Sequence, residues 1–463
     1  MTVTVGGLDR RARLSAPVLV TLCSVLAGCA HLEPESFSQA AGAVAWRQDS
    51  AADKAAQRRV DELLTGELDA DRAAQVALLA SPDLQAHFEK LGVARAQYLE
   101  AAAAPNPLID WQRRTLADGG GARVEWGLTQ NLIGLLTLPM RRAAAETELA
   151  GARSEAARDV EHLALEARSA LWTLQAAERI AELRRQHAEL GRLAFEVAGR
   201  YRDAGNIKAF DFEAERTLHL EARDRFDAAT LEALEARLSL SRLLGVLGRD
   251  TPLRIAGRLP ALPADDPVTN VTEAAALERR LDLRAARQRA EASLQRVGIA
   301  RGTRLVPALE VGAAREKEPN GERLSGPTAA LELPLFDART AQIAAGDAEA
   351  RLALRELEAK LLDVRRDLRL ATAALANARR RAQTWQTEVL PARLKIVDGN
   401  AREFFYMLRG PFDPMHAKQV AIEAEIESVA ALRDYWLARA QLARASGDLA
   451  LVRGEEPAKG ATP

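Results

Sequence analysis

Pro107-Leu-Ile-Asp-Trp-Gln-Arg113, the turn Asp118-Gly-Gly-Gly121 and Arg123-Val-Glu-Trp-Gly-Leu-Thr-Gln130 open a unit that the chain contains twice. Ile109 and Trp111 before the turn, and Val124, Trp126 and Leu128 after it, alternate with polar neighbours, the period of a β-hairpin. Leu138-Pro139 then starts helix-type sequence that runs without a breaker to Ala204-Gly-Asn206, followed by Phe210-Asp211. The second copy reads Pro307-Ala-Leu-Glu-Val-Gly312, Thr328-Ala-Ala-Leu-Glu-Leu333, Pro334, a long helical run, Gly410 and Phe412-Asp413. The offsets are 307−107 = 200, 334−139 = 195, 412−210 = 202 and, at the closing glycines, 447−245 = 202. Anchors recurring in one order at nearly one spacing mark an internal duplication.

The composition suits long helices. Of 463 residues 48% are hydrophobic but only 4% aromatic, which favours thin seams of Ala and Leu over a globular core. Between Pro139 and Tyr201 the seam Val160, Leu163, Ala167, Ala170, Leu174, Ala177 steps by three and four, and its small residues let helices approach closely. The net charge of −1, with both signs interleaved, offers no basic face for nucleic acid. Cys23 and Cys29 are the only cysteines, so the remainder carries no disulfide or thiolate metal site. The six histidines share no metal-ligand spacing, no nucleotide loop is present, and no side-chain constellation suggests an enzyme or a cofactor.

Arg10, Arg11 and Arg13 precede an apolar run from Ala16 to Ala27, a charged n-region and h-region of export type. The run ends Leu26-Ala27-Gly28-Cys29, which resembles a bacterial lipobox. That resemblance implies a lipoprotein signal peptide at 1–28 and Cys29 as the acylated first residue, carrying diacylglycerol and a fatty acyl chain. Ala30 follows in place of the aspartate associated with inner-membrane retention, which implies the outer membrane.

The remaining chain divides into a leader at 29–60, a first repeat at 61–248, a Pro-rich linker at 249–271, a second repeat at 272–449 and a disordered tail at 450–463. Lys54 to Ala101 reads as helical, with a helix start after Ser81-Pro82. Asp83-Leu84 is echoed by Asp282-Leu283, and Gly92-Val-Ala-Arg95 by Gly298-Ile-Ala-Arg301. Their offsets, 199 and 206, differ by one heptad and suggest an insertion in the second copy. Beyond Pro334 the helix is expected to reach about Leu408 with a kink at Pro391, and Glu316 to Arg323 to form the second hairpin's polar tip.

Each repeat supplies two strands, and four strands cannot close a barrel. An open sheet edge is not tolerated in lipid, so strands that span a membrane must be pooled between chains. Three chains would give twelve antiparallel strands.

The lipobox, Asn106-Pro107, Leu333-Pro-Leu-Phe-Asp337, the reversals at Gly205 to Asp211 and Gly410-Pro-Phe-Asp413, and the duplication together resemble a TolC-like outer-membrane factor. Ala431 to Arg439 is particularly similar to members that serve resistance-nodulation-division pumps. The resemblance covers roughly 61–449. It implies a mainly α fold with a small membrane β part: duplicated long helical hairpins forming an α-barrel, and four strands per protomer contributing to a trimeric twelve-stranded β-barrel. The implied function is a passive exit duct of a tripartite efflux system. Its implied partners are two further copies of the chain, a periplasmic adaptor, an inner-membrane pump and outer-membrane lipid. At the periplasmic tip, the resemblance assigns adaptor docking and gating to Gly205, Phe210 and Asp211 and to Arg409, Gly410, Phe412 and Asp413. A reversal glycine and a following aspartate also have a purely structural reading, as turn and helix cap. Arg409 and Pro411 depart from the small or β-branched residues usual beside the second tip glycine. The alternative to a duct is a periplasmic coiled-coil adaptor or structural lipoprotein that spans no membrane.

Overall fold

The computed structural model describes residues 51–115, 121–248, 253–264 and 271–452. Helices α1 (Ala51–Thr65), α2 (Ala70–Ala80) and α3 (Pro82–Ala102) lead into strands β1 (Leu108–Thr115) and β2 (Ala122–Asn131). A short α4 (Leu132–Leu136) precedes α5 (Leu138–Asp203), which reverses into α6 (Ala209–Leu243). The second copy follows as α7 (Glu273–Arg279), α8 (Leu281–Gly302), β3 (Leu309–Lys317), β4 (Arg323–Leu331), α9 (Thr340–Gln383), a π-helical stretch (Thr384–Val389), α10 (Leu390–Phe405) and α11 (Phe412–Ser446). A 3₁₀ turn, Leu449–Val452, closes the described chain.

The 66 residues of α5 contain no Pro after the first turn and are rich in Ala, Leu, Glu and Arg, so nothing interrupts a rod of about 99 Å. Of its expected seam, Leu163, Ala167 and Leu174 are buried, and Val160, Ala170 and Ala177 are half-buried. On the hairpin side of the molecule the helices lie in the order α3, α5, α8, α9; towards the reversals the order is α6, α5, α11, α10. In each half, α5 of the first repeat is inserted against the second repeat.

The core sits between these halves. Trp172 of α5 stacks on Trp436 of α11 at 5.4 Å between ring centroids, with Tyr435, Leu375 and Leu442 packed around them. Arg168, almost fully buried on α5, reaches Asp71 of α2 at 2.6 Å and ties the outer helices to the rod. Helices α6 and α11 both end on a left-handed glycine, Gly245 at φ +66° and Gly447 at φ +67°. A Cβ on Gly245 would lie 2.2 Å from the Ala80 carbonyl oxygen, so only glycine fits.

The four strands form one antiparallel sheet in the order β1-β2-β3-β4, with β1 and β4 as open edges.

Several expectations change. Lys54 to Ala101 is three helices, and α1 already buries Val60, so packed structure begins before residue 61. Helix α9 starts at Thr340 rather than after Pro334, α10 ends at Phe405, and Glu316, Lys317 and Arg323 belong to strands. The heptad insertion is absent: α3 and α8 start at 82 and 281 and end at 102 and 302, offsets of 199 and 200. Gly92 and Gly298 therefore occupy different turns of equivalent helices, and their shared tetrapeptide is coincidence. The linker's described part, 253–264, is packed: Leu68 bridges to Ile255, and the Pro260 carbonyl accepts from Trp436 Nε1 at 2.9 Å. Residues 450–452 belong to the fold as well, with Leu451 and Val452 buried and the Leu451 carbonyl held by Arg439 Nε at 2.6 Å. The signal peptide, Cys29, the centre of the first hairpin turn and the end of the tail lie outside the described residues.

Candidate functional site

Two regions carry the chemistry that the sequence singled out: the paired helical reversals and the faces of the sheet. At the first reversal Gly205 takes φ +72°, and the turn closes through Gly205 N–H to the Arg202 carbonyl at 2.9 Å and Asn206 N–H to the Tyr201 carbonyl at 2.8 Å. Phe210 is 67% exposed, with Lys208 Nζ 5.5 Å from its ring centroid. Asp211 sits exposed in the first turn of α6, where the helix dipole favours a carboxylate. Among the described residues no ion pair or hydrogen bond engages its side chain.

The second reversal is built differently. Its left-handed residue is Met407 at φ +57°, and Gly410 has no positive φ. Since 407−205 = 202, the offset of the phenylalanines, Met407 is the counterpart of Gly205. Asp413 lies within the first turn of α11 and reaches back out of it: its Oδ2 accepts from Gly410 N–H at 3.1 Å, just ahead of the helix. Arg409 donates Nε to Glu403 at 2.7 Å, and that carboxylate, with Asp413 nearby, raises the guanidinium pKa. Phe404 to Leu408, five large apolar side chains in sequence, all stand exposed. The expected tip residues thus cluster at two neighbouring turns, but Asp413 serves the backbone and only Asp211 is uncommitted.

Aromatic and charged groups join the turns. Tyr201 of α5 meets Phe412 of α11 edge-on at 6.0 Å, and Phe412 stacks on His416 at 6.4 Å. His416 Nε2 lies 2.8 Å from Oε1 of Glu215, a carboxylate buried on α6. Farther from the turns Glu423 of α11 is the hub, paired with Arg184 of α5 and lying 3.5 Å from Arg225 of α6 and 3.6 Å from His187 of α5. Burial pushes the His187 pKa below its ordinary value; Glu423 opposes that shift, and Arg184 and Arg225 add to it. The sequence reading passed over this network, because no spacing within one helix reveals a partner more than two hundred residues away.

The sheet sorts its side chains. Directly opposed residues in an antiparallel ladder share a face. The registers Ile109↔Leu128↔Ala313↔Pro327, Trp111↔Trp126↔Arg315↔Ser325 and Val311↔Ala329 therefore place the alternating residues Ile109, Trp111, Val124, Trp126 and Leu128, with Val311 and Ala329 of the second hairpin, on one face. Trp111 and Trp126 meet at 6.1 Å and are 57% and 54% exposed. From Val311 to Lys317 that face is exposed while Gly312, Ala314 and Glu316 on the other are half-buried, so along β3 the apolar face is the more open, convex side and the polar one the more covered, concave side. Asp110, Glu125, Glu310 and Glu316 all lie on the concave face, where Arg123 pairs with Glu316.

Among the described residues no helix is long and apolar enough to cross a membrane, and no cluster of His, Cys, Asp or Glu is arranged to hold a metal ion. The segment Ala431 to Arg439 lies in the core between the two halves, with Ala431, Tyr435, Trp436 and Arg439 buried.

No protein-family model and no curated protein matches the chain. Solved structures do. The Campylobacter jejuni CmeC outer membrane channel superposes with a TM-score of 0.71 at 14% identity, covering 88% of this chain and 91% of that one. The outer-membrane channel OprN gives 0.69 at 18%, covering 85% and 92%. A membrane protein from Pseudomonas aeruginosa gives 0.70 at 21%, covering 81% and 93%. Likeness over nearly the whole of each chain, at identities this low, establishes architecture, and the fold of this chain is that of these three structures, two of them outer-membrane channels.

Proposed function

We propose that the chain is one protomer of a passive exit duct in the outer membrane, the last element of a tripartite efflux system. The observation that carries this reading is the sheet: most of its apolar side chains and no acid on the convex side, its acids with Arg114 and Arg123 on the concave side, open at both edges and set at the end of a helical rod about 99 Å long. An apolar outside and polar inside is the dyad pattern of a membrane barrel wall, and open edges require further strands.

The duplication supports how copies join. Within the chain β2 pairs with β3, and α5 packs against α8 and α11. The equivalent contacts of the second repeat, β4 and the α9–α10 face, have no such partner among the described residues, and neither do β1 and the outer sides of α3 and α6. Head-to-tail association satisfies both sets, and three copies close twelve strands. The lumen would then be lined by the acidic concave face and conduct without consuming energy, which an inner-membrane pump of the resistance-nodulation-division type supplies. A periplasmic adaptor docks at the reversals around Phe210 and 404–413. Cys29 bears the lipid anchor, and no catalysis is ascribed to the chain. The adaptor alternative leaves the convex apolar face without purpose.

Light scattering on unboiled, detergent-extracted protein tests the reading. A mass near three times the 50.2 kDa chain is expected. A monomer that stays soluble without detergent would overturn it.

A further inference from the structure

The convex face carries charge as well as apolar groups, and all of it has one sign. Arg113, Lys317 and Arg323 fall in a single row across the sheet, with Val124 on β2 between the first two. Arg315 lies one row nearer the helices, level with Trp111 and Trp126. No Asp or Glu shares this face among the described residues, and all four cations are exposed. No ion pair or hydrogen bond to their side chains is formed among the described residues. The acids of the sheet are on the opposite side, and the Arg123 guanidinium they draw is there too. Sheet stability alone would favour opposite charges facing each other across strands. Sorting by face instead leaves four like charges beside one another, which costs energy unless anions cover them.

Position identifies the anion. Rows on one face are about 6.7 Å apart along a strand, and adjacent strands about 4.8 Å apart. The basic row thus lies at the strand ends remote from the helices, about 13 Å beyond the Ile109, Leu128, Ala313 row. Between them are the indoles of Trp111 and Trp126, the side chains that favour the headgroup level of a membrane. Apolar, aromatic and basic bands follow one another along the same outward surface. That sequence complements a lipid: acyl chains, interface, phosphate. A soluble anion would use only the last band, and the wide-open hollow on this face, which reaches Arg315, is walled by Ile109, Trp126, Leu128 and Ala313, groups that suit an acyl chain.

We propose that Arg113, Arg315, Lys317 and Arg323 bind the phosphate groups of anionic lipid headgroups in the leaflet remote from the helices, with the acyl chains lying over Trp111, Trp126 and Leu128. The inference rests on the duct reading, which makes the convex face the lipid side. It names a ligand class: a glycolipid or phospholipid whose headgroup bears more than one phosphate, because three cations in one row reach farther than one phosphate.

The assembled protein in detergent would be titrated with a diphosphorylated acyl-glucosamine disaccharide, with the same lipid lacking phosphate, and with inorganic phosphate. Bound lipid would be counted by native mass spectrometry. Each basic residue near an anionic headgroup contributes about a factor of five in binding. With four such residues the wild type should therefore prefer the phosphorylated lipid by roughly 600-fold, and R113Q/R315Q/K317Q/R323Q should bind both lipids alike. A variant that keeps the preference overturns the proposal. Displacement of the lipid by millimolar inorganic phosphate overturns it in favour of a soluble-anion site. Quenching of Trp111 and Trp126 by brominated phosphatidylcholine, scored against a variant with Phe at both positions, separates the two levels of the reading. If the wild-type indoles are not quenched, the duct reading fails and this inference with it. If they are quenched and no phosphate preference exists, only this inference fails.

Discussion

Replacing Trp436 tests the account of what joins the two repeats. Its side chain is fully buried, stacked on Trp172 at 5.4 Å, covered by the Arg439 guanidinium at 5.0 Å, and bonded through Nε1 to the Pro260 carbonyl at 2.9 Å. Trp436→Phe keeps most of the apolar area but strands that carbonyl in a packed linker, at a cost of about 1–2 kcal/mol. Trp436→Ala removes the ring from a core that cannot collapse around rigid helices, and should cost about 3–5 kcal/mol. A chain of 463 residues with separate helical and β parts need not unfold in two states, so the assay is local: hydrogen–deuterium exchange of the peptides covering 253–264 and 435–452. The Phe variant should speed exchange in 253–264 by roughly five- to thirtyfold and leave the reversals unchanged, at about 1.4 kcal/mol per factor of ten. The Ala variant should expose both peptides. Native protection of 253–264 in both variants would refute the idea that the linker is held through this indole.

Three further outcomes follow from the reversals and their seam. His187 has a folded pKa below the 6.5 of the free side chain, so the unfolded chain takes up its proton first as pH falls. Its contribution to stability is therefore intact above about pH 6.5 and is lost below it, and His187→Gln should lessen the loss of protection, the measured exchange relative to the intrinsic rate at each pH, in α5 and α11 between about pH 7.5 and pH 5.5. Met407 holds φ +57°; Met407→Gly should leave the turn ordered, while β-branched Met407→Val should fray 404–411 by about 1–2 kcal/mol, read by exchange at the turn. Asp413→Ala should loosen the start of α11 by about 1 kcal/mol through loss of its bond to Gly410, whereas Asp211→Ala should leave helix order intact and raise single-channel conductance. Unchanged conductance would remove Asp211 from the gate.

The duplication, both hairpins and every long helix were legible because they rest on local signals: alternation at period two, absence of breakers, and glycine at the ends of α6 and α11. What escaped notice was tertiary. Met407 took the left-handed position because the second turn closes three residues before its glycine, and only the constant offset of 202 pointed there. The linker read as loose for want of an apolar period, yet its carbonyls are taken by Gln175, Arg379 and Trp436, residues from distant helices. Leu451 and Val452 read as tail because four residues form no pattern. Among the tip residues, Gly205, Phe210 and Asp211 are placed as a turn, an exposed ring and an uncommitted carboxylate; Asp413 shows how the same residue type, one repeat on, can be spent on the backbone.

The two outgoing helices, equivalent by descent, are mechanically unlike. Helix α5 is a continuous rod, but its counterpart passes through the π-helical stretch Thr384–Val389 directly before Pro391, where one amide donor is missing and the turn is widened. Beyond that joint α10 has 16 residues, an arm of about 24 Å, and buries none of them within the chain. A bend of about 10° at the joint would carry the second reversal through about 4 Å while the first stays fixed to its rod. One hairpin of the chain is thus a strut and the other a lever; in the proposed duct the first would set the stiffness of the tube while the aperture at its end would follow the second.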